Sequence, residues 1–167
     1  RDVSIGIIKT KDASKIFIIS LYCDQTFPDA VPDSLTKFLN SDLSDSDRVL
    51  ICADTNAWSS LWGSVSTNSR GEQMEEWLLE LGLEVWNTGH VPTFHGRGDT
   101  FIDVTMSKNL AVENWLVSDQ CSFSDHCYIF FSINTDVVSR DSVNTGRPIW
   151  NKFIKSILRF KPLIPER

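Results

Sequence analysis

Two short polar segments carry side chains whose types and spacing are suited to chemistry. In the first, Asp54 and Asn56 follow directly on the apolar run 49–52, which is typical of a buried strand. Residues two apart in an extended chain point to the same side, so both side chains can face one site. A carboxylate there can bind a metal ion or activate water, and a carboxamide can donate to a phosphate oxygen. The competing interpretation is an Asx turn that caps the strand.

The second segment, Ser124-Asp125-His126, stands immediately before an apolar run at 127–133. A His beside an Asp at the start of a strand can act as a general base with a metal-binding neighbour, and it can equally form a surface turn. Asp103 interrupts the β-forming run 100–104. A buried carboxylate needs a partner, and an imidazole that it orients is a suitable one. Tyr22 ends the run 15–22, where a phenol can hydrogen-bond a phosphate, although a half-buried core tyrosine is the usual case.

The elements that must position these groups are mostly strands. Apolar runs predict a hairpin of strands 3–9 and 15–22, a helix at 34–40, a buried strand at 48–53, and short strands at 83–86, 92–95, 100–106, 112–118 and 127–133. Because strands outnumber helices, and helices separate only some of them, the pattern indicates an α/β layered sandwich with mixed sheets. A parallel doubly wound fold is disfavoured.

One helix has clear start and stop signals. Ser69 and Glu72 have the spacing of a capping box, with the Ser69 hydroxyl at the N-cap. Apolar residues then recur with helical spacing, and Gly82 supplies the stop. The members of this apolar stripe are Met74, Trp77, Leu78 and Leu81. We interpret the stripe as core rather than as part of a metal or cofactor site.

Charge is unevenly spread along the 167 residues. The chain has 16 basic and 22 acidic side chains, and six of the basic but only one of the acidic ones lie in 147–167. The acidic remainder argues against tight binding to nucleic acid through charge alone. It is compatible with a metal-dependent phosphoesterase, whose carboxylates bind cations that then receive phosphate, and equally with a merely solvated acidic surface.

Cysteine and histidine usage adds little chemistry beyond these segments. The four cysteines show no zinc spacing, so buried free thiols in a reducing compartment are predicted. His90 and His95 are interpreted as loop residues. No apolar run approaches the ~20 residues of a bilayer span, so no membrane is expected as a partner.

The segment from Asp54 to Gly63, Asp-Thr-Asn-Ala-Trp-Ser-Ser-Leu-Trp-Gly, resembles the "GD-x-NA-x-SPLWG" segment of the endonuclease domain of non-LTR retrotransposons. Further stretches resemble the same domain in the same order across residues 15–133. They are Arg70-Gly71-Glu72, Leu83-Glu84-Val85-Trp86-Asn87, Pro92-Thr93-Phe94, 100–105, 115–119 and 124–129. That domain belongs to the endonuclease/exonuclease/phosphatase superfamily, related to apurinic/apyrimidinic endonucleases and to DNase I.

The resemblance implies a four-layer α/β sandwich and hydrolysis of DNA phosphodiesters with Mg²⁺ or Mn²⁺, which nicks target DNA to prime reverse transcription. It implies that Asp54 orients or activates water and that Asn56 and Tyr22 contact the phosphate. Asp125 would help to hold the cation. His126 would sit on the phosphate, with Asp103 pairing its imidazole.

Departures from the family pattern qualify this. The family's first two strands bring an Asn and a metal-binding Glu that cannot be assigned here, so we expect an N-terminally truncated domain that nicks DNA poorly on its own. Trp58 stands where many relatives have His, and Ala53 replaces the commoner Gly. The expected organisation is a partial endonuclease domain at 1–134 and a basic linker or tail at 135–167, which as a linker would lead toward a reverse transcriptase.

The expected partners are DNA, a downstream reverse transcriptase domain and retroelement RNA, with nuclear localisation during retrotransposition and cytoplasmic localisation otherwise. Two other hypotheses stay open at this point. One is a phosphatase-type member of the same superfamily. The other is a catalytically dead retroelement remnant or nucleic-acid-binding module.

Overall fold

The computed structural model describes residues 2–10, 14–44, 46–88, 90–134 and 137–139. The two α-helices are α1, Asp33–Ser41, and α2, Ser69–Leu81. The strands are β1 Asp2–Thr10, β2 Lys15–Tyr22, β3 Arg48–Asp54, β4 Glu84–Val85, β5 Phe94–His95, β6 Asp99–Thr100, β7 Asp103–Lys108, β8 Val112–Val117, β9 Ile129–Ile133 and β10 Val137–Ser139. The tail predicted at 135–167 lies almost entirely outside the described residues, apart from β10.

A mixed six-stranded sheet in the order β10-β1-β2-β3-β7-β4 forms the centre of the described structure. The hairpin of β1 and β2 is confirmed as an antiparallel pair. β2 and β3 run parallel, and β7 pairs with β3 in the antiparallel sense. Two smaller sheets, β5-β6 and β8-β9, complete the set. The prediction of mixed sheets is therefore confirmed.

The two faces of the central sheet bury different partners because side chains alternate along each strand. In β2, Phe17, Ile19 and Leu21 belong to one apolar cluster with the buried sides of α1 and α2. Ile16 and Ile18 point the other way, into a second cluster with Val112 and other residues of β8 and β9. Helices thus cover one face and a small sheet covers the other, which is the predicted α/β sandwich.

The start of α2 differs by one residue from the sequence prediction. Asn68, not Ser69, is the N-cap, and its Oδ1 accepts the Gly71 N–H at 2.8 Å. The same oxygen accepts the Trp58 N–H at 3.2 Å. Asn68 is the N-cap because its amide oxygen both caps the helix and binds the loop at residue 58. The capping-box spacing does not reveal this second contact. Gly82 ends the helix with φ of 64°, as predicted.

Two other local predictions are wrong. The strand predicted at 100–106 is split into β6 and β7, because the Thr55 N–H and hydroxyl both donate to the Ile102 carbonyl at 2.8 Å and take it out of the ladder. His95 lies in β5 rather than in a loop. Its ring Nδ1 lies 2.6 Å from Asp99 on the exposed surface.

The cysteines Cys23, Cys52, Cys121 and Cys127 are all free thiols, as predicted. The predicted burial holds for Cys23, is partial for Cys52 and Cys127, and is wrong for Cys121, which is exposed. Burial raises the pKa of the Cys52 thiol to about 12. Among the described residues, no helix has the length and apolar character needed to cross a membrane.

Candidate active site

Three polar side chains meet where neighbouring strands of the central sheet end. The register pairs Tyr22 of β2 with Asp54 of β3, and Asp54 with Asp103 of β7. Residues directly opposite each other across a sheet share a face, so these three side chains line one row. The row lies on the face that β8 and β9 cover, beyond the second apolar cluster. Sheet register alone thus places two carboxylates and a phenol side by side.

His126 joins this row from the segment before β9. Its Nδ1 lies 3.0 Å from each carboxylate oxygen of Asp103, and its Nε2 lies 3.8 Å from Oδ2 of Asp54. One ligand atom from each of the three residues lies within 4.8 Å of the others. The side chains are 5% exposed for Asp54, 13% for Asp103 and 22% for His126. The cluster is therefore compact, and solvent reaches it mainly at the imidazole of His126.

The electrostatics of the cluster are dominated by negative charge. Burial, together with the charges of Asp103 and Asp125, raises the pKa of Asp54 to about 7, against the opposing effects of His126 and the Asn56 N–H. Burial acts to lower the pKa of His126, but the hydrogen bond and charge of Asp103, with Asp54 and Asp125, raise it overall. An imidazolium is thus favoured beside carboxylates that repel one another.

Asn56 reaches this site through a turn and not through strand alternation. β3 ends at Asp54, and Asn56 has φ of 46°, a conformation that Asn tolerates better than most residues. Its N–H donates to Oδ1 of Asp54 at 3.2 Å, which is the Asx turn that the sequence left open. Its side chain accepts from Gln25 at 2.7 Å and donates to the Cys23 carbonyl at 3.2 Å. The carboxamide is thereby held in one orientation.

Tyr22 is 38% exposed at the edge of the row. Burial and the charge of Asp54 raise the pKa of its phenol, while a hydrogen bond with the Asn56 side chain lowers it. The phenol therefore stays protonated at neutral pH and can donate. Tyr22 and Asn56 form one corner of the site, on the side of Asp54 away from Asp103.

Asp125 is exposed and lies outside the compact cluster, although its charge reaches both Asp54 and His126. Ser124 donates to its Oδ1 at 3.1 Å. Its backbone carbonyl accepts the His95 N–H at 2.7 Å. The segment is thus fixed by its backbone, while the Asp125 side chain is exposed.

Two supporting residues were not predicted as site residues. Asn87 donates to the Asp103 carbonyl at 2.9 Å and accepts the Thr105 N–H at 2.9 Å, so its side chain extends the ladder where β4 has ended. Phe94 forms a bridge with His126 and packs its ring edge-on against the imidazole at 4.8 Å. Both lie within stretches that resemble the retrotransposon domain, and that resemblance is the one sequence feature that could have indicated their supporting role.

The donor set suits a hard divalent cation. Both oxygens of Asp103 are engaged by His126, which leaves Asp54 and Asp125 to offer carboxylate oxygens. Carboxylate oxygens are the ligands that Mg²⁺ and Ca²⁺ prefer. A positive charge near Asp54 would also relieve the repulsion that raises its pKa. The residues present therefore fit the cation that the resemblance implies.

A His–Asp pair and a further buried carboxylate lie together where strands of the mixed central sheet end. Residues 16–130 match the family model described as endonuclease-reverse transcriptase. The chain belongs to that family and, with it, to the endonuclease/exonuclease/phosphatase superfamily. No curated protein matches the chain significantly.

Solved structures show the same fold. The endonuclease domain of TRAS1, a telomere-specific non-LTR retrotransposon, is 29% identical with a TM-score of 0.67, over 81% of this chain and 63% of that one. The Xenopus laevis APE2 catalytic domain is 15% identical with a TM-score of 0.56, over 84% of this chain and 57% of that one. The chain thus spans less than two thirds of the length of either structure.

Proposed function

We propose that this chain is the endonuclease domain of a non-LTR retrotransposon polyprotein and hydrolyses phosphodiesters in DNA with a divalent cation. The observation that carries this proposal is the cluster of Asp54, Asp103 and His126, with ligand atoms within 4.8 Å of one another at the strand ends. Membership of the endonuclease-reverse transcriptase family and the likeness to the TRAS1 endonuclease domain support the choice of substrate.

In this proposal Asp54 accepts the proton of the attacking water. Burial and neighbouring charge bring its pKa to about 7, which suits a general base near neutral pH. The water oxygen forms the new bond to phosphorus, the bond to the leaving deoxyribose oxygen breaks, and solvent supplies that oxygen with a proton. Asp54 therefore has to be ionised to accept the proton; its Oδ1 accepts the Asn56 N–H at 3.2 Å, and Nε2 of His126 lies 3.8 Å from its Oδ2.

His126 stabilises the negative charge that builds up on the phosphate oxygens. Asp103 accepts a hydrogen bond from Nδ1–H of His126 and so stabilises the imidazolium. The Nε2–H of the same ring then lies on the side where Asp54 lies. Tyr22 and the Asn56 amide donate to the phosphate from the other side of Asp54. Asp125, with Asp54 beside it, would hold Mg²⁺ or Mn²⁺. Such an ion, when bound, supplies charge neutralisation at the phosphate.

Supercoiled plasmid nicking tests this proposal. The protein should convert supercoiled to open-circular DNA with MgCl₂ or MnCl₂ and not with EDTA, and Asp54→Asn should abolish the conversion. Asp33→Asn, at the start of α1 and outside the cluster, is the matched control and should keep full activity. The assay uses residues 1–167 and, in parallel, the longest reading frame that contains them.

The same preparations separate the alternatives. Release of phosphate from a phosphomonoester without any nicking would favour the phosphatase-type reading. DNA binding without cation-dependent turnover in both lengths would favour a catalytically dead module. Either result would overturn the proposed function.

The proposed polyprotein context has its own test. We assign residues 1–134 to the endonuclease domain and 135–167 to a basic linker or tail that leads toward a reverse transcriptase. The proposed partners are target DNA, that reverse transcriptase and retroelement RNA, and the nick is expected to prime reverse transcription in the nucleus. Reverse transcriptase motifs in the reading frame after residue 167 would support the assignment, and an unrelated downstream sequence would contradict it.

A further inference from the structure

Asp103 and His126 lie 23 residues apart in the chain, and their pairing needs a common support. Asp103 begins β7, whereas His126 lies in the segment between β8 and β9, outside the strands and helices. The pairing of β7 with β3 holds the chain at Asp103, while its own N–H and carbonyl bind the side chains of Thr93 and Asn87. The support for His126 comes from residues 93–95, which lie antiparallel to residues 125–127.

Thr93 contacts both sides of this pair with its own polar groups. Its hydroxyl oxygen accepts the Asp103 N–H at 3.0 Å, and its carbonyl accepts the Cys127 N–H at 2.7 Å. Its own N–H donates to the Thr100 carbonyl at 2.9 Å. Thr93 is fully buried, with 0% exposure, so none of these bonds is shared with solvent. One residue therefore ties the backbone of Asp103 to the backbone next to His126.

From this geometry we infer that the Thr93 hydroxyl is a positioning group for the Asp103–His126 pair, an inference that rests on the proposed function. The hydroxyl fixes the amide of Asp103 and hence the direction of its carboxylate, both oxygens of which lie 3.0 Å from Nδ1. Without it, a buried N–H loses its acceptor and the first residue of β7 shifts to find another. Displacements of this kind are costly for catalysis because the transition state needs accurate placement.

The chain offers a matched control in Thr105. This residue is also a buried threonine of the same sheet, 2% exposed, and its hydroxyl accepts the indole N–H of Trp115 at 3.0 Å. It lies two residues further along β7 and does not touch Asp103 or His126 through its side chain in the bonds described. Thr105→Val thus removes an equivalent hydroxyl and leaves a buried donor unpaired, without touching the pair.

The experiment compares Thr93→Val with Thr105→Val in steady-state nicking and in NMR of the cation-free protein. Thr93→Val should lower kcat about 30-fold with KM changed less than about twofold, whereas Thr105→Val should change kcat less than about threefold. Thr93→Ser keeps the hydroxyl and should restore kcat to within about threefold of the wild type. Equal kcat losses in the two valine variants would overturn the inference.

The NMR arm needs no activity and so separates this inference from the proposed function. The proton on Nδ1 of His126 should give a downfield resonance in the wild type and in Thr105→Val, and this resonance should be lost in Thr93→Val. Its persistence in Thr93→Val would overturn the positioning role even if the protein cleaves DNA. If Thr93→Val does not fold, Thr93→Ser and Thr93→Ala, which both lack the methyl group and differ only in the hydroxyl, make the same comparison.

Discussion

The candidate site has two halves that are built differently. Asp54 and Asp103 lie directly opposite each other on strands of the central sheet, and their side chains are only 5% and 13% exposed. His126 and Asp125 belong to a segment held by its bridge to β5, by backbone hydrogen bonds and by the hydroxyls of Ser122 and Ser124. The difference shows that sheet register can place a carboxylate pair, whereas the imidazole depends on individual contacts such as those of the Thr93 carbonyl and the Phe94 ring.

The largest effect is expected at the sheet half, with Asp54→Asn. Removing the group that accepts the water proton should lower nicking by about 1,000-fold or more, within the range for general base catalysis. The variant should fold and should be at least as stable as the wild type, because burial and repulsion disfavour the Asp54 carboxylate. Activity and thermal unfolding are measured on the same preparation. Retention of even a tenth of wild-type activity would remove Asp54 from the mechanism.

Asp103→Asn tests the contact between the two halves. An amide cannot stabilise the imidazolium or fix the tautomer as a carboxylate does, so nicking should fall by about 100-fold with the fold largely intact. The pKa of His126, followed by NMR in cation-free protein, should also fall, because the hydrogen bond and charge of Asp103 raise it in the wild type. An unchanged rate would show that the pair has no part in catalysis.

Phe94→Leu tests the packing that holds the His126 half of the site. The variant keeps an apolar side chain but removes the ring whose centroid lies 4.8 Å from that of the imidazole. Nicking should therefore fall about tenfold while the free energy of unfolding changes little. Phe123→Leu is the control, since Phe123 is 95% exposed. If both phenylalanine variants behaved alike, the ring contact would have no positioning role.

The smallest effect is expected in stability against pH. The pKa of Asp54 is raised from 3.8 to about 7, so the folded state binds more protons in that window and stability falls as pH rises. The raised pKa of His126 acts in the same direction, because its stabilisation is lost as pH rises through the folded-state value. In denaturant unfolding in EDTA, Asp54 alone should contribute a slope of at most about 1.4 kcal/mol per pH unit. Asp54→Asn should flatten that slope, and an unchanged slope would assign it to other groups.

The sequence was sufficient for part of the sheet half and not for the rest. The end of β3 follows from a local apolar run, so the position of Asp54 at a strand end could be predicted, whereas Asp103 was predicted inside a strand at 100–106 and instead begins β7. The contacts of Thr93 and Asn87 with Asp103 span 10 and 16 residues and depend on how a hairpin folds back, which periodicity does not encode. The N-cap was missed for a similar reason, since Asn68 also binds the loop ten residues before it.

The roles of the site residues came only from the resemblance to the retrotransposon domain. Composition and spacing left Asp54-Thr55-Asn56 as either a site or an Asx turn, and the structure shows that the turn is the means by which Asn56 reaches Asp54. Polar side chains at strand ends are common in many folds, so their chemistry cannot be read from type and spacing alone. The family match and the cluster of Asp54, Asp103 and His126 are what favour a site over a merely structural turn.

The chemistry of the DNA ends at the nick tests the central claim most directly. Hydrolysis by an activated water, with the 3′ oxygen of the deoxyribose leaving as the priming role requires, should give a 3′-hydroxyl that a DNA polymerase extends without prior treatment. Extension should require MgCl₂ or MnCl₂ during nicking and should be absent with Asp54→Asn. Nicks with blocked 3′ ends, or extendable nicks that form equally well with Asp54→Asn, would contradict the account.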